Sequence, residues 1–269
     1  MTERSLPTLL LTAFGPFGGD GYNPTQHALD PVAEAVAGHA RVVTEVLPVE
    51  YAAACDRIRE LIRAHHPDVV VSLGLAAGRT AITPERVAIN LAEARIPDET
   101  GARPLGLPLV DGARAAHFST LPVAAMVEAV AAVDAPAAVS YSAGTFVCNA
   151  VMYAALEEIR VQEENRALED ARMLRDTGTA GNRARASAVA GFIHVPQATE
   201  ADSAAADAGG ARTREGSMTQ AQIDRGLSAA VRAAVEHRGS PPVAPQGALH
   251  AARVPGIGEE RAPGIGATD

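Results

Sequence analysis

Three residues that lie far apart in the chain could together carry out nucleophilic chemistry: a cysteine, a carboxylate and a histidine. Cys148 follows a short apolar run and a turn at Gly144, and it precedes a strongly helical stretch. This pattern predicts a strand, a tight turn and a helix, with the thiol in the first helical turn, where unpaired N–H groups favour an anion. We therefore expect an acidic thiol, and the thiolate is the nucleophilic form. The alternative is a buried cysteine that packs as a small hydrophobe.

The carboxylate candidate is Glu85, in the segment 82–91, whose alternation of apolar and polar residues predicts a β-strand. Glu85 shares its parity with the apolar residues that follow it, so it should point to the same apolar face. A carboxylate on such a face must be paired or hydrogen-bonded. Glu85 could equally lie at the solvated end of the strand, before the alternation begins.

The histidine candidate is His194, in the apolar run 187–196, which predicts a strand that ends at a proline. Phe192 and His194 should point to the same face of this strand. A single histidine in a strand is often a structural group. A cysteine nucleophile, however, requires a partner that accepts its proton and later returns it, and histidine suits that role.

Two phenylalanines lie in a glycine-rich loop after the first predicted strand, at Phe14 and Phe17. Open α/β sheets bind ligands at the carboxyl ends of their strands, so these rings could form the wall of an apolar pocket. Asn23 ends the loop and precedes Pro24, which is a favourable pair for starting a helix. Asn23 could therefore serve as a helix cap alone.

Two other features could suggest chemistry. The segment 74–79 contains two glycines but lacks both the Lys-Ser/Thr pair of a P-loop and the spacing of a dinucleotide fingerprint. His117 is a second candidate base in the segment 100–120, which is rich in glycine and proline and reads as a long extended connection of the kind that often serves as a lid. Nothing in the sequence around His117 orients its ring.

The elements that must position these residues alternate between strands and helices. Apolar runs predict further strands over 9–13, 41–49, 69–73 and 137–141. Amphipathic or alanine-rich runs predict helices over 24–37, 51–65, 121–133, 150–159 and 217–237, the last with a capping box at 217–220. This order predicts an α/β fold, a three-layer α/β/α sandwich with a twisted and mostly parallel central sheet.

Composition and charge exclude several classes of protein. The net charge of −9 argues against a polyanionic partner, and aromatic residues amount to 3% with no tryptophan, so we expect no nucleic-acid binding. Cys55 falls on the apolar stripe of a predicted helix, so the two cysteines do not suggest a disulfide. Without a signal segment or an apolar run of ~20 residues, we expect a cytoplasmic protein and no membrane. No cluster has metal-ligand spacing, so no metal or cofactor is expected.

The sequence predicts one α/β domain over residues 1–238. The segment 160–186 is charged and poor in apolar residues, so we interpret it as an insertion that forms a solvated helical extension or a loop. Residues 239–269 are dominated by proline, glycine and alanine and predict a disordered tail.

The segments that carry the three candidate residues resemble one known family. Residues 140–149, Ser-Tyr-Ser-Ala-Gly-Thr-Phe-Val-Cys-Asn, are similar to the cysteine motif of the pyroglutamyl peptidase I family. Residues 74–90 match that family's glutamate motif at every fixed position, and 191–196, Gly-Phe-Ile-His-Val-Pro, resemble its histidine segment. The resemblance extends over about residues 9–237.

The resemblance implies a cysteine exopeptidase, an omega peptidase, that removes an N-terminal pyroglutamyl residue from small peptides. It implies that Cys148 is the nucleophile, His194 the general base and Glu85 the carboxylate that orients the imidazole. Arg95, in a segment similar to the family's D-A-R-I-P-D-N, would stabilise the oxyanion. Arg95 could instead be a surface arginine or pair with Asp98.

The resemblance also implies a substrate pocket and an assembly. Phe14 and Phe17 would contact the pyroglutamyl ring and Asn23 would make a polar contact, with Phe146 and Val147 completing the apolar wall. Family members suggest a homo-oligomer, a dimer or a tetramer. The chain departs from the family at three positions, Leu75, Glu93 and Glu99.

Two other functions remain open from the sequence. The same groups could hydrolyse the amide of another small acyl group, because Leu75 stands where some relatives carry Gln. The chain could also be an inactive α/β binding or scaffold protein, with the segment 160–186 and the tail 239–269 contacting partners.

Overall fold

A computed structural model of the chain describes residues 6–19, 21–177, 187–199 and 218–240. The strands are β1 (Thr8–Phe14), β2 (Arg41–Leu47), β3 (Val69–Leu75), β4 (Thr83–Pro84), β5 (Val87–Ile89), β6 (Ala116–Phe118) and β7 (Val189–Val195). The helices are α1 (Pro24–Val36), α2 (Tyr51–His65), α3 (Val123–Ala131), α4 (Val147–Thr177) and α5 (Gln220–Glu236).

The central sheet has five strands in the order β2-β1-β3-β7-β4. The first four strands are parallel, and the short β4 is antiparallel to β7. Every residue of β1 and β7 is buried, and so is β3 up to its last residue. Their nearly continuous apolar runs are typical of parallel strands that are covered on both faces.

Two helical layers cover the sheet. Because side chains alternate across a strand, Leu9 and Leu11 of β1 pack in the core under α1, α3 and α5, whereas Leu10 packs in the core under α2 and α4. Val69 and Val71 of β3 face the first core, and Val70 faces the second. The predicted three-layer α/β/α sandwich with a mostly parallel sheet is confirmed.

The predicted single strand over 82–91 is wrong. The chain pairs with β7 through β4, leaves that sheet after Glu85, and then pairs with β6 through β5 in a separate two-stranded sheet. The change of partner resets the alternation, so Ala88 is the buried residue of β5. Glu85 is fully buried, which is one of the two placements that the periodicity left open, whereas Val87 and Ile89, which share its parity, are only partly buried.

The predicted strand over 137–141 is present only as two isolated bridges, between Ile82 and Ala137 and between Glu85 and Ser140. Two backbone hydrogen bonds of a parallel ladder do form between these segments: Ala138 N donates to Ile82 O, and Ser140 N donates to Pro84 O. Pro84 has no N–H to donate in return, and this interrupts the ladder.

Helix α5 begins two residues later than its predicted capping box indicates. Thr219 is the N-cap, its side chain accepts from Gln222 N, and the Gln222 side chain accepts from Thr219 N. Ser217, the predicted cap, lies outside the described residues.

The charged segment after residue 159 continues helix α4 to Thr177, and its side chains from 160 to 176 are mostly exposed. The rest of the predicted insertion, 178–186, and the predicted disordered tail from 241 onward lie outside the described residues. Within the described ranges, no helix is both long enough and apolar enough to cross a bilayer.

Helix α5 packs so closely on the sheet that a methyl group at Gly226 would lie 2.3 Å from Ile82 Cδ1. Alanine normally stabilises a helix interior relative to glycine, by about 1 kcal/mol. We expect Gly226→Ala to lower the free energy of unfolding instead, by about 1–3 kcal/mol, because of overpacking. Urea unfolding of the full chain measures the change. Gly38→Ala, with open space around the added carbon, should leave stability within about 0.5 kcal/mol, and equal effects of the two substitutions would contradict this packing argument.

Candidate active site

Cys148 is the second residue of helix α4, as predicted, and it follows a turn in which Gly144 has a φ of +77°. Two contacts hold the loop before the helix: Tyr51 Oη donates to Thr145 O at 2.9 Å, and Thr145 Oγ1 donates to Glu93 O at 2.7 Å. The positive φ suits glycine, since it costs other residues energy. The turn therefore aims the first turn of α4, and with it the thiol, at the end of the sheet.

Asn149 fixes this first helical turn to β5. Its Oδ1 accepts from Ile89 N at 2.9 Å, and its Nδ2 donates to Ile89 O at 2.9 Å and to Leu91 O at 3.2 Å. The side chain is fully buried, so it acts like an extra strand residue that binds the helix to the small sheet. These three hydrogen bonds also fix the position of the neighbouring residue, Cys148.

The thiol lies against the carboxyl end of β3. A carbon added at Gly74 would lie 3.1 Å from Cys148 Sγ and 2.7 Å from the Phe192 ring. Gly74 is the register partner of His194 on the neighbouring strand β7. The absence of a side chain at Gly74 therefore lets the thiol and the histidine strand approach each other.

His194 and Glu85 form a buried pair. Nδ1 of His194 lies 2.7 Å from Glu85 Oε1, and the exposed fractions of these residues are 4% and 0%. The Phe192 ring packs on the imidazole with 4.7 Å between centroids, and Thr83 Oγ1 donates to the His194 carbonyl at 3.2 Å. Because Nδ1 is occupied by the carboxylate, Nε2 is the ring nitrogen that remains for the thiol.

An apolar pocket of about 490 Å³ opens beside Cys148. All the residues that the sequence predicted for the pocket line it, namely Phe14, Phe17, Asn23, Phe146 and Val147. Arg95 lines it as well. The other lining residues are Gly18, Tyr22, Val49, Leu75, Ala77, Glu93, Ile96 and Thr145. Cys148 belongs to the lining, whereas His194 and Glu85 lie outside it.

Aromatic rings build one wall of this pocket. Phe17 and Phe146 pack with centroids 5.5 Å apart, and the Tyr51 ring meets Phe146 edge-on, also at 5.5 Å. Phe14 is buried and packs near Phe192, at 6.3 Å between centroids. Tyr51 supports the wall from α2, and sequence reasoning assigned it no role there.

A comparison with known proteins identifies the family of this site. The family model described as pyroglutamyl peptidase matches residues 8–167. The chain belongs to the pyroglutamyl peptidase family. It is 42% identical to the pyrrolidone-carboxylate peptidase of Clavibacter michiganensis subsp. michiganensis over 72% of this chain and 81% of the relative.

Other relatives of the pyroglutamyl peptidase family match over most of their length. The pyrrolidone-carboxylate peptidase of Levilactobacillus brevis is 37% identical over 84% of this chain and 97% of the relative. The crystal structure of pyroglutamyl peptidase I from Bacillus amyloliquefaciens superposes with a TM-score of 0.69 at 35% identity, covering 86% of this chain and 98% of that one. The family resemblance predicted from the sequence is confirmed.

Arg79 is the residue of this pyroglutamyl peptidase site that sequence reasoning missed. Its Nη1 lies 2.8 Å from Glu85 Oε1 and also contacts Thr83 Oγ1, while its Nη2 donates to Ser142 O at 3.0 Å. A signal for it existed, because a buried carboxylate needs a cation or several donors, and arginines at 79 and 86 are near in sequence. Arg86 turns elsewhere, to the Ser119 carbonyl and the Phe118 ring.

Asn23 has the capping role that sequence reasoning left open. Its Oδ1 accepts from Thr25 N at 3.0 Å and from Thr25 Oγ1 at 2.8 Å, and its Nδ2 donates to Gly15 O at 2.9 Å. An amide nitrogen carries two hydrogens. One of them has no acceptor among the described residues, and Asn23 lines the pocket.

Arg95 is exposed at the pocket and does not pair with Asp98. Asp98 is occupied by Tyr51 N, Thr100 and the Ala102 N–H. Arg95 has no hydrogen bond or ion pair to any residue in the described part of the chain. Its guanidinium is therefore free to meet a negative charge at the pocket mouth.

His117, the second candidate base, has a structural role instead. Its Nε2 lies 2.7 Å from Glu157 Oε2, its ring packs on Tyr153 at 4.8 Å, and both members of the pair are buried. Burial lowers the pKa of His117. The pair ties β6 to α4 and does not line the pocket.

Burial decides the protonation of the thiol. The pKa of Cys148 rises to about 12, because desolvation and then the charge of Glu85 outweigh the backbone N–H and Arg79, which lower it. These effects oppose the acidic thiol that the helix start predicts. The pKa of Cys55, which packs in the core as predicted, rises to about 11, again mainly through burial.

The pKa values of His194 and Glu85 are both lowered. Burial lowers the pKa of His194 more than the hydrogen bond and charge of Glu85 raise it, and Arg79 lowers it further. Burial alone would raise the pKa of Glu85, but His194, the Ser140 hydroxyl and Arg79 together hold it below its usual value. Near neutral pH these shifts favour a neutral thiol, a neutral imidazole and a charged carboxylate. No cluster of His, Cys, Asp and Glu suited to a metal ion occurs among the residues the structure describes.

Gly74→Ala should displace Cys148 Sγ and the Phe192 ring, because the added methyl group would overlap both. A misplacement of about 1 Å can cost about 10²-fold in rate, so we expect kcat/KM on a pyroglutamyl substrate to fall by about that factor. Circular dichroism should show that the fold persists. Gly38→Ala again serves as the control, and full activity of Gly74→Ala would show that the thiol needs no clearance there.

Proposed function

We propose that this chain is a cysteine exopeptidase that hydrolyses the amide bond after an N-terminal pyroglutamyl residue of small peptides. The observation that carries the proposal is the buried pair of Glu85 and His194, set beside Cys148 at an apolar pocket. Membership of the pyroglutamyl peptidase family supports the same acyl specificity.

In the proposed first step, Nε2 of His194 accepts the thiol proton as Sγ attacks the pyroglutamyl carbonyl carbon. Glu85 holds Nδ1 at 2.7 Å, which fixes the tautomer and stabilises the imidazolium that forms. Proton transfer within a neutral pair needs no free thiolate. A thiol with a pKa of about 12 is therefore compatible with attack near neutral pH.

The oxyanion that forms on the carbonyl oxygen needs donors. The Cys148 N–H lies in the first turn of α4, where backbone donors are unpaired and the helix dipole is positive. Arg95 lines the same pocket and adds a positive charge. His194 then protonates the leaving amine, and a water molecule, deprotonated by the same imidazole, hydrolyses the thioester to release pyroglutamate.

The pocket suits a pyroglutamyl ring because the ring is a neutral lactam instead of a charged amine. Phe14, Phe17, Phe146 and Val147 offer apolar contacts to its methylene groups. The remaining amide hydrogen of Asn23 can donate to the lactam oxygen. A free N-terminal ammonium would lose more hydration than a lactam against this apolar wall, and Glu93 is the one carboxylate among the lining residues.

Several further statements belong to the same proposal. The peptidase domain is proposed to span residues 1–238, with an insertion at 160–186 and a tail at 239–269. The chain acts on peptides, without a cofactor, without nucleic acid and away from membranes, and it assembles as a homo-oligomer. A cytoplasmic location agrees with its two cysteines, Cys55 and Cys148, which are both free thiols.

A second candidate function is hydrolysis of another small acyl amide by the same groups. The observation that favours it is Leu75, which lines the pocket with an apolar side chain and offers a lactam no hydrogen bond. A prolyl or a glutamyl amide tests this candidate, and preferential turnover of either one would establish it over the pyroglutamyl substrate.

The direct test uses a pyroglutamyl aminocoumarin substrate with the full chain. The wild type should release the fluorophore, Cys148→Ser should not, and Cys55→Ser should behave as the wild type because Cys55 is buried in the core under α2. Prolyl and glutamyl aminocoumarins serve as specificity controls. No release by a folded wild type would overturn the peptidase assignment.

Glu85→Gln should lower kcat by about 10²-fold or more, because the amide no longer stabilises the imidazolium. The neutral imidazole is the active form and exists above its pKa. Glu85 raises that pKa, so its removal should move the acid limb of the kcat/KM profile to lower pH. An acid limb that stays in place or moves to higher pH would show that Glu85 does not act on His194.

A further inference from the structure

Arg79 connects its own loop with two other parts of the chain, the carboxylate Glu85 and the segment before Cys148. It lies in the loop between β3 and β4, its guanidinium pairs with Glu85, and it also donates to the carbonyl of Ser142 in the segment before Cys148. Its side chain is 25% exposed, whereas that of Glu85 is completely buried. The partly exposed Arg79 guanidinium therefore contacts a fully buried carboxylate.

Arg79 adds to the effect of His194, which lowers the pKa of Glu85 more than Arg79 does. The Oε1 atom of Glu85 lies 2.7 Å from His194 Nδ1 and forms an ion pair with Arg79 Nη1 at 2.8 Å, and its Oε2 is buried without a hydrogen-bond partner among the described residues. A buried carboxylate is costly unless it is paired. Arg79 is its cationic partner, and the two contacts on one oxygen restrict how the carboxylate can turn.

The second branch of Arg79 reaches the turn that leads to the nucleophile. Nη2 donates to Ser142 O at 3.0 Å, and the Ser140 hydroxyl donates to the same carbonyl at 3.2 Å. Gly144 N in turn donates to Ser142 Oγ at 3.2 Å. The turn before Cys148 therefore rests on a carbonyl that Arg79 holds.

We propose that Arg79 is a positioning residue that locks Glu85 and the turn before Cys148 together, so that the His194 imidazole and the thiol meet in a reactive geometry. This inference rests on the proposed function, since the reaction it serves is the thiol attack described above. Arg79 itself does not line the pocket.

Arginine is suited to this bridge in a way that lysine is not. A guanidinium is planar and presents donors in two fixed directions, so one group can hold a carboxylate and a carbonyl at once. A lysine supplies the charge at a single point. The bridge and the charge can therefore be separated by substitution.

Arg79 also acts on His194 through its charge. The charged and titratable groups that face His194 are Glu85 after β4, Arg79 in the loop and Cys148 on α4, while its own strand contributes the Phe192 ring. Arg79 lowers the pKa of His194 and Glu85 raises it. Loss of Arg79 should therefore move the acid limb of activity to higher pH, opposite to the effect of Glu85→Gln.

The test compares Arg79→Met and Arg79→Lys in the full chain, on the pyroglutamyl aminocoumarin substrate across pH. For Arg79→Met we expect kcat to fall by about 10–100-fold with KM changed by less than about 3-fold, and the acid limb to move to higher pH. Arg79→Lys should keep the wild-type acid limb and still lose part of kcat. The proposal is overturned if Arg79→Met keeps both the wild-type kcat and the wild-type acid limb of the pH profile. It is also overturned if the pH profiles of Arg79→Lys and Arg79→Met are identical.

Arg63→Met is a matched control, because Arg63 also pairs with a buried carboxylate, Glu158, at 2.6 Å and 2.8 Å, but far from the site. It should change stability without moving kcat or the acid limb. A shift of the limb in Arg63→Met equal to that in Arg79→Met would overturn the proposal by showing a nonspecific effect.

A second readout separates this inference from the proposed function. NMR titration of the His194 Cε1–H resonance, assigned by its loss in His194→Gln, reports the imidazole pKa without any turnover. That pKa should be higher in Arg79→Met than in the wild type and unchanged in Arg79→Lys. If the wild type fails to cleave the substrate but the pKa moves as expected, the proposed activity fails and the contact stands; an unmoved pKa in an active enzyme overturns the role of Arg79.

Discussion

The hydrogen bond between Glu85 and His194 is the interaction on which the rest of the site depends. A carboxylate and an imidazole with almost no exposure can stay in the core only if each is satisfied by the other and by further donors. β7 supplies the histidine, the chain after β4 supplies the carboxylate, and the antiparallel pairing of Thr83 with His194 and Pro84 with Ile193 sets the distance between them. The short β4 therefore matters more for the site than its two residues suggest.

The thiol reaches this pair through features that are small and local. Gly74 leaves the space into which Cys148 and Phe192 fit, Gly144 allows the turn before the helix, and Asn149 fastens the helix start to β5. Desolvation favours the neutral forms of both the thiol and the imidazole, so the site holds no thiolate–imidazolium pair at rest. The charge separates only when a carbonyl is in place to receive the sulfur, and the buried carboxylate and the donors at the helix start stabilise the charges that form.

Much of the fold could be predicted from the sequence because its signals are local. Helix α2 runs from Tyr51 to His65 as the apolar period indicates, and the continuous apolar runs give β1, β3 and β7. The failures have tertiary causes. The alternation over 82–91 could not show that the chain changes sheets at Glu85, nor that the missing N–H of Pro84 would interrupt the ladder beside 137–141. The helix-dipole argument for an acidic Cys148 did not include desolvation or the charge of Glu85. The sequence offered Arg79 and Arg86 equally as partners of Glu85, and only the fold shows that Arg79 contacts both Glu85 and Ser142.

Covalent labelling tests the central claim most directly, since it asks whether the pocket and the thiol form one site. The full chain is incubated with a pyroglutamyl chloromethyl ketone near neutral pH, digested, and mapped by mass spectrometry, with a glutamyl chloromethyl ketone as the control reagent. We expect one label per chain, on Cys148, which forms more slowly with excess 2-pyrrolidone and is strongly reduced in His194→Gln. Label on Cys55, equal reaction with the glutamyl reagent, or no label on a folded chain would contradict it.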